Sequence, residues 1–246
     1  MRWGVFGDAH GNLQGLQAVV QALRAAGVDG YLNLGDTVGY GADPNACCDL
    51  VREIGAVSVL GNHDLAAIGG PGLEWFNETA RTALNWTRNH LSADHLAWLA
   101  NLPTSVQLDE LAATHSSLPQ PTEWRYIDTA LEAGVTLAAA GRRLVLVGHS
   151  HVAEAYCLPA GGGEGAHVPL YRGGQITLTP ETGYVLNPGS CGQPRDQWWQ
   201  AAGAVLDTDA GTFTVVRQAY DLSTASDRIL FAGLPIWLAV RLAEGR

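Results

Sequence analysis

The chain has 246 residues, of which 47% are hydrophobic and 15% charged, enough apolar side chains for one sizeable core. This composition excludes a disordered chain and a fibrous repeat. A formal net charge of -10 argues against a basic face that grips nucleic acid, although bound metal ions can make an acidic protein locally attractive to phosphate.

Met1 to Gly7 contain no long apolar h-region of the secretory kind, and no apolar run approaches the roughly 20 residues of a membrane helix. Cys47, Cys48, Cys157 and Cys191 form no C-x-x-C pair and read as small buried side chains in a reducing compartment. A cytoplasmic protein without membrane attachment is expected.

Trp3 to Phe6 is a short apolar strand that runs into Gly7-Asp8. Leu13, Leu16, Val19 or Val20 and Leu23 then recur at helical spacing, with Asn12 in the N-cap position. Tyr31 to Leu34 reads as a second strand ending at Gly35-Asp36. Asn45 to Ile54 is helical, and Ala56 to Leu60 is a third strand ending at Gly61-Asn62-His63-Asp64. Strand, polar loop and helix repeat, which predicts a sheet with helices packed on it and chemistry at the carboxyl ends of the strands.

A helical, cap-like segment is expected at about 74–100, as two helices with Ser92 capping the second. Glu110 to Ala113 is a short strand leading to His115. Asp128 to Ala140 is helical, and Leu144 to Val147 is a buried strand reaching Gly148-His149-Ser150-His151. Beyond it, short apolar segments alternate with Gly-, Pro- and Asp-rich turns, the pattern of antiparallel strands. Residues 223–244 read as two short helices broken near Gly233 and Pro235. No linker or repeat interrupts the chain, so one domain over 1–246, with two sheets and flanking helices, is the simplest arrangement.

Five polar motifs stand out, four of them directly after an apolar strand: Gly7-Asp8-Ala9-His10, Gly35-Asp36, Gly61-Asn62-His63-Asp64, His115, and Gly148-His149-Ser150-His151. They offer carboxylate, amide oxygen and imidazole, the donors that suit Mn, Fe, Co, Ni or Zn. In an extended chain residues i and i+2 point the same way, so Asp8 with His10, and His149 with His151, are expected to face one metal cluster. Singly, a Gly-Asp is usually a turn and a lone His is usually structural. The ordered set makes a metal centre the better reading.

This series resembles the calcineurin-like metallophosphoesterase superfamily. The resemblance implies an α+β fold, a four-layer sandwich of two mixed sheets flanked by helices. It also implies two metal sites. Asp8, His10, Asp36 and His151 would hold one ion, and Asp36, Asn62, His115 and His149 the other, with Asp36 bridging. Two ions sharing a carboxylate acidify a water near neutral pH and draw charge from phosphoryl oxygens. His63 would then serve the leaving oxygen as the catalytic acid, or else orient Asn62.

Serine/threonine phosphoprotein phosphatases of the superfamily carry Gly-Asp-x-x-Asp-Arg-Gly. Here Gly39 and Tyr40 replace the Asp and Arg, which counts against that activity. The run Gly35 to Pro44, and Asn187 to Ser190 followed by Gly192 to Asp196, are similar to the small prokaryotic branch of YfcE-like phosphodiesterases and asymmetric dinucleoside tetraphosphate hydrolases. That resemblance implies a small, nucleotide-like phosphorylated substrate. Arg195 would grip phosphate, unless it pairs with Asp196. Tyr40, Trp75 and Phe76 would flank the mouth and stack on a base, unless the last two are packing residues. Asp64 is a candidate to orient His63. A non-catalytic scaffold is the alternative from another class, disfavoured because every expected ligand is present. The pairs Ile229–Leu230 and Ile236–Trp237 offer apolar surface for a partner subunit.

Overall fold

The computed structural model describes residues 1–246. In chain order the strands are β1 (Arg2–Phe6), β2 (Gly30–Asn33), β3 (Val57–Ser58), β4 (Ser105–Leu108), β5 (Leu111–Thr114), β6 (Leu144–Leu146), β7 (Ala153–Pro159), β8 (Ala166–Pro169), β9 (Gly174–Thr177), β10 (Thr182–Pro188), β11 (Ala201–Asp207) and β12 (Thr212–Gln218). The helices are α1 (Leu13–Ala25), α2 (Pro44–Glu53), α3 (Asn62–Ala67), α4 (Glu78–His90), α5 (Ala93–Ala100), α6 (Ala130–Ala140), α7 (Leu222–Phe231) and α8 (Ile236–Glu244).

Two six-stranded mixed sheets face each other, ordered β3-β2-β1-β11-β12-β9 and β4-β5-β6-β10-β7-β8. The two-residue period of a strand sends alternate side chains to opposite layers. Val5 enters the inter-sheet core with Leu144, Leu146, Leu186, Leu206 and Phe213, while its neighbour Phe6 packs outward with Leu16, Val19 and Leu23 of α1. Val145 and Val147 likewise turn outward, toward Ala133 and Ala140 of α6. A strand covered on both faces must be apolar throughout. That is why Leu144 to Val147 reads as a continuous hydrophobic run, and why the structure has four layers.

The caps behave as expected from their chemistry. Asn12 Oδ1 accepts from Gly15 N at 3.1 Å, and Ser92 Oγ from His95 N at 3.1 Å. Several boundaries differ from the sequence reading. Only Val57–Ser58 of the Ala56–Leu60 run pairs as a strand. The first helix of the 74–100 segment begins at Glu78, capped by Asn77, after a single 3-10 turn at Leu73–Trp75. Helix α3 and strand β4 were not legible. The first is six residues long and the second four, with only Val106 and Leu108 apolar, and both are too short to show a period. In the C-terminal helix pair Ile229 is buried, not exposed, whereas Leu230, Ile236 and Trp237 are exposed. No helix is long and apolar enough to cross a membrane.

Candidate metal centre

Strands β1, β2 and β3 run parallel in one sheet, and β5 and β6 run parallel in the other. Their carboxyl ends deliver Asp8 and His10, Asp36, Asn62 and His63, His115, and His149 and His151 to one place. Asn62 and His63 open helix α3 rather than sitting in a loop. Three groups have ligand atoms all within 4.8 Å of one another, a spacing that can hold a metal ion: Asp8, His10 and His151; His10, Asp36 and His63; Asp36, His115 and His149.

The backbone at these positions departs from the expected extended conformation. Asp8, His10, Asp36, His149 and His151 have φ of 55°, 48°, 51°, 69° and 61°, the left-handed region that non-glycine residues rarely adopt. The Asp-x-His and His-x-His pairs therefore do not converge by strand alternation. His151 joins Asp8 and His10, while His149 turns to Asp36 and His115. Such strain persists only where the surroundings over-determine it, and it clusters at functional sites.

Asp36 sits between the two groups. Its Oδ1 accepts from His63 N at 2.8 Å, and its Oδ2 lies 3.6 Å from His10 Nε2 and 3.4 Å from His115 Nε2. On one side, His10 Nε2 and His151 Nε2 are 3.1 Å apart, and Asp8 Oδ1, buried without a hydrogen-bond partner, lies 3.3 Å from His151 Nε2. On the other, His115 Nε2 lies 3.0 Å from Asn62 Oδ1 and 3.2 Å from His149 Nδ1.

The outer nitrogen of each of these four rings faces a backbone carbonyl. His10 Nδ1 donates to Val38 O at 3.2 Å, His115 Nδ1 to Leu34 O at 2.7 Å, His151 Nδ1 to Gln193 O at 2.6 Å, and His149 Nε2 to Trp124 O at 2.8 Å. A carbonyl only accepts, so the proton belongs on the outer nitrogen and the inward nitrogen keeps its lone pair. Lone pairs turned toward one another, beside an orphaned carboxylate oxygen, fit cations between them.

Electrostatics agree. Burial holds His10 and His151 well below the usual histidine range, and lowers His63 to about 4 and His149 to about 3. Burial raises Asp8 to about 7. Burial opposes charge on His115 as well, but the Asp36 carboxylate overcomes it and lifts that ring to about 9. Asp36 remains ionised despite burial, because His115 and His63 hold it below the usual carboxylate range. Asp36 keeps its charge and His10, His149 and His151 stay neutral, the protonation states that ligate, whereas His115 carries a proton that a bound cation would have to displace.

His63 packs against His10, Tyr40 and Phe76, with ring centroids 4.6, 4.4 and 4.8 Å away. Its Nδ1 is buried with no partner. Asp64 does not orient it: that carboxylate accepts Val38 N at 3.1 Å and Gly61 N at 3.2 Å, tying the two loops together. Gly39 explains the missing acid. Its φ is 137°, and an added Cβ would stand 2.8 Å from both His63 Nδ1 and His10 Nδ1. No carboxylate fits there.

An open pocket of about 460 Å³ lies over the cluster. Tyr40, Trp75, Phe76 and Arg195 line it, as read from the sequence. Arg195 is not paired with Asp196, whose partner is Arg217. Trp124, Tyr126 and Arg241 line it too and were missed. Two aromatic residues in the loop after His115 were a visible signal. Arg241 left none, because its approach depends on how α8 docks.

The calcineurin-like phosphoesterase family model matches residues 1–153. An uncharacterised protein of Methanocaldococcus jannaschii is 33% identical over 251 aligned positions, covering 98% of this chain and 97% of that one. The crystal structure of a metallophosphoesterase from Sphaerobacter thermophilus superposes with a TM-score of 0.86 at 35% identity, covering both chains fully. A hypothetical protein of Pyrococcus horikoshii shares the fold, with a TM-score of 0.78 at 17% identity over 100% of this chain and 98% of that one. The chain belongs to the calcineurin-like phosphoesterase family.

Proposed function

We propose that this family hydrolase cleaves a phosphoric ester or anhydride in a small nucleotide-like molecule, with two divalent ions shared across Asp36. The observation that carries the reading is the placement of Asp36 Oδ2 between His10 Nε2 and His115 Nε2, each with its own set of inward donors. Asp8, His10, Asp36 and His151 would hold one ion; Asp36, Asn62, His115 and His149 would hold the other. Such ions, when bound, supply charge to the phosphoryl oxygens and lower the pKa of water toward neutrality.

His63 would protonate the leaving oxygen. Burial holds its ring neutral in the free site, at about 4. The negative charge of an arriving phosphate favours the protonated form, so the acid is armed when substrate binds. No carboxylate backs this ring, so its position rests on Tyr40, Phe76 and the bare Gly39 backbone.

A dinucleoside polyphosphate is the substrate class the pocket supports best. Tyr126 stacks on His149 at 4.3 Å and, with Trp124 and the exposed Trp75, offers flat faces for a base. Phosphoprotein phosphatase activity is disfavoured by Gly39 and Tyr40. A metal-binding scaffold is disfavoured by the complete donor set and by His63. Metal analysis, together with a panel of dinucleoside polyphosphates, cyclic nucleotides and bis-p-nitrophenyl phosphate assayed with Mn2+, tests the reading. Turnover of phosphoproteins alone would sink it.

A further inference from the structure

Two arginines enter the pocket from segments that supply none of the proposed metal-holding side chains. Arg195 follows β10, and Arg241 lies on the last helix, α8. Their guanidinium carbons stand 5.8 Å and 5.7 Å from the centroid of the Tyr40 ring. That ring in turn lies 4.7 Å from His10 and 4.4 Å from His63. The two cations therefore gather beside the proposed metal centre.

Neither guanidinium is paired with an Asp or Glu side chain. Arg217 is matched with Asp196, and Arg228 with Asp43. By contrast, Arg195 donates from Nη2 to Gln193 Oε1 at 3.0 Å, and its Nε is buried without a partner. Arg241 Nε donates to the backbone oxygen of Arg246, the last residue of the chain. The carboxylates that line the pocket are engaged elsewhere, Asp36 within the cluster and Glu123 with Arg125. Burial, and next the charge of Arg195, push Arg241 down to about 10. Two partly buried like charges with no acidic side chain between them are costly, and an anion placed between them lowers the cost.

The geometry points to Arg195 and Arg241 as a clamp for a second phosphate group, joined to the scissile one, so that the preferred substrate is a phosphoanhydride chain rather than a single-phosphate ester or diester. This rests on the hydrolase reading above for the position of the scissile phosphate. Planar guanidinium forks match phosphate oxygens in bidentate fashion, and Tyr40 holds both forks by cation–π contact. The pocket is then two-sided: cations beside Tyr40 take the phosphate chain, and Trp124 and Tyr126 lie on the His149 side.

Arg241→Gln and Arg195→Gln, assayed with Mn2+ on diadenosine tetraphosphate and on bis-p-nitrophenyl phosphate, test the clamp. Each is expected to raise KM for the tetraphosphate by about tenfold or more, and to change KM for the diester by less than about twofold. Equal losses on both substrates, no loss on either, or a loss confined to one arginine overturns the proposal. A second readout needs no turnover. Calorimetry on metal-free protein is expected to show inorganic tripolyphosphate binding at least about tenfold tighter than inorganic phosphate, with the preference lost in both variants. Equal affinity for the two anions overturns the clamp. If the preference is present but no phosphoester is hydrolysed, the clamp stands and the hydrolase reading falls.

Discussion

His10 and His151 lie 141 residues apart in the chain, yet their Nε2 atoms meet at 3.1 Å. Each ring is held from behind by a backbone carbonyl, Val38 O for one and Gln193 O for the other. The contact joins the ends of β1 and β6, which belong to different sheets, so one half of the proposed centre depends on how the two sheets meet.

The wild-type protein is expected to carry two divalent ions per chain, and His151→Ala about one, by elemental analysis after gel filtration. Hydrolysis in His151→Ala should fall by about a hundredfold or more, since even residues that only support metal ligands are worth 10- to 100-fold. Unchanged metal content would place the ions elsewhere.

His63 is predicted to act in chemistry without holding metal. His63→Ala should keep both ions while kcat falls by about 10²- to 10⁴-fold, the range of a general acid. The deficit should shrink for a substrate with an acidic leaving group such as p-nitrophenolate, which departs without a proton. A loss of metal equal to the loss of rate would make His63 a ligand instead.

Gly39→Asp would restore the acid found in phosphoprotein phosphatases, but it is predicted to harm this protein. The left-handed φ of 137° and the 2.8 Å approach to two histidines leave no room for the side chain. A strained residue costs about 1–3 kcal/mol, so thermal unfolding should shift down by several degrees and activity should drop. A gain in rate would show that the loop can rearrange.

Asp196 and Arg217 form an ion pair with both side chains buried. Asp196 also accepts Ala153 N at 3.2 Å, and Arg217 donates to Gln200 O at 3.1 Å, so the pair ties the loop that carries Arg195 to β7 and β12. Removing one partner leaves a buried charge alone, and Arg217→Met is expected to cost about 3–5 kcal/mol in urea unfolding. The double variant Asp196→Leu with Arg217→Met should recover part of that loss.

Metal-free protein is predicted to lose stability as pH falls from 6.5 toward 4. Four buried rings, His10, His63, His149 and His151, stay neutral in the fold, whereas the unfolded chain protonates them below 6.5. Two buried carboxyls, Asp8 and Asp64, oppose this, because burial raises each to about 7 and the fold takes up their protons first. His115, lifted to about 9, is charged in the fold throughout, while its unfolded ring charges as pH drops through 6.5, so it also opposes the loss, but only at the top of the window. The unfolded chain binds the larger number of protons, so stability must fall on acidification. Urea midpoints at pH 6.5 and pH 4.5, in the presence of chelator, check the sign.

The donor types and their order were legible in the sequence, because each motif sits beside a strand whose apolar run is required by burial on both faces. Asp8, His10, Asp36, Asn62, His115, His149 and His151 were therefore nameable before any coordinates, as were the two-sheet architecture and the caps at Asn12 and Ser92. Local chemistry sets these features: a strand period, a cap hydrogen bond, a glycine before a carboxylate. What only the tertiary structure decided depends on how distant segments dock. Left-handed backbone at His149 and His151, rather than strand alternation, sends them to different groups. Trp124, Tyr126 and Arg241 come to the pocket by the path of a loop and the seating of α8 on Tyr40, and no local pattern encodes either. The freedom of Arg195 likewise followed from a long-range choice, the capture of its neighbour Asp196 by Arg217 on another strand.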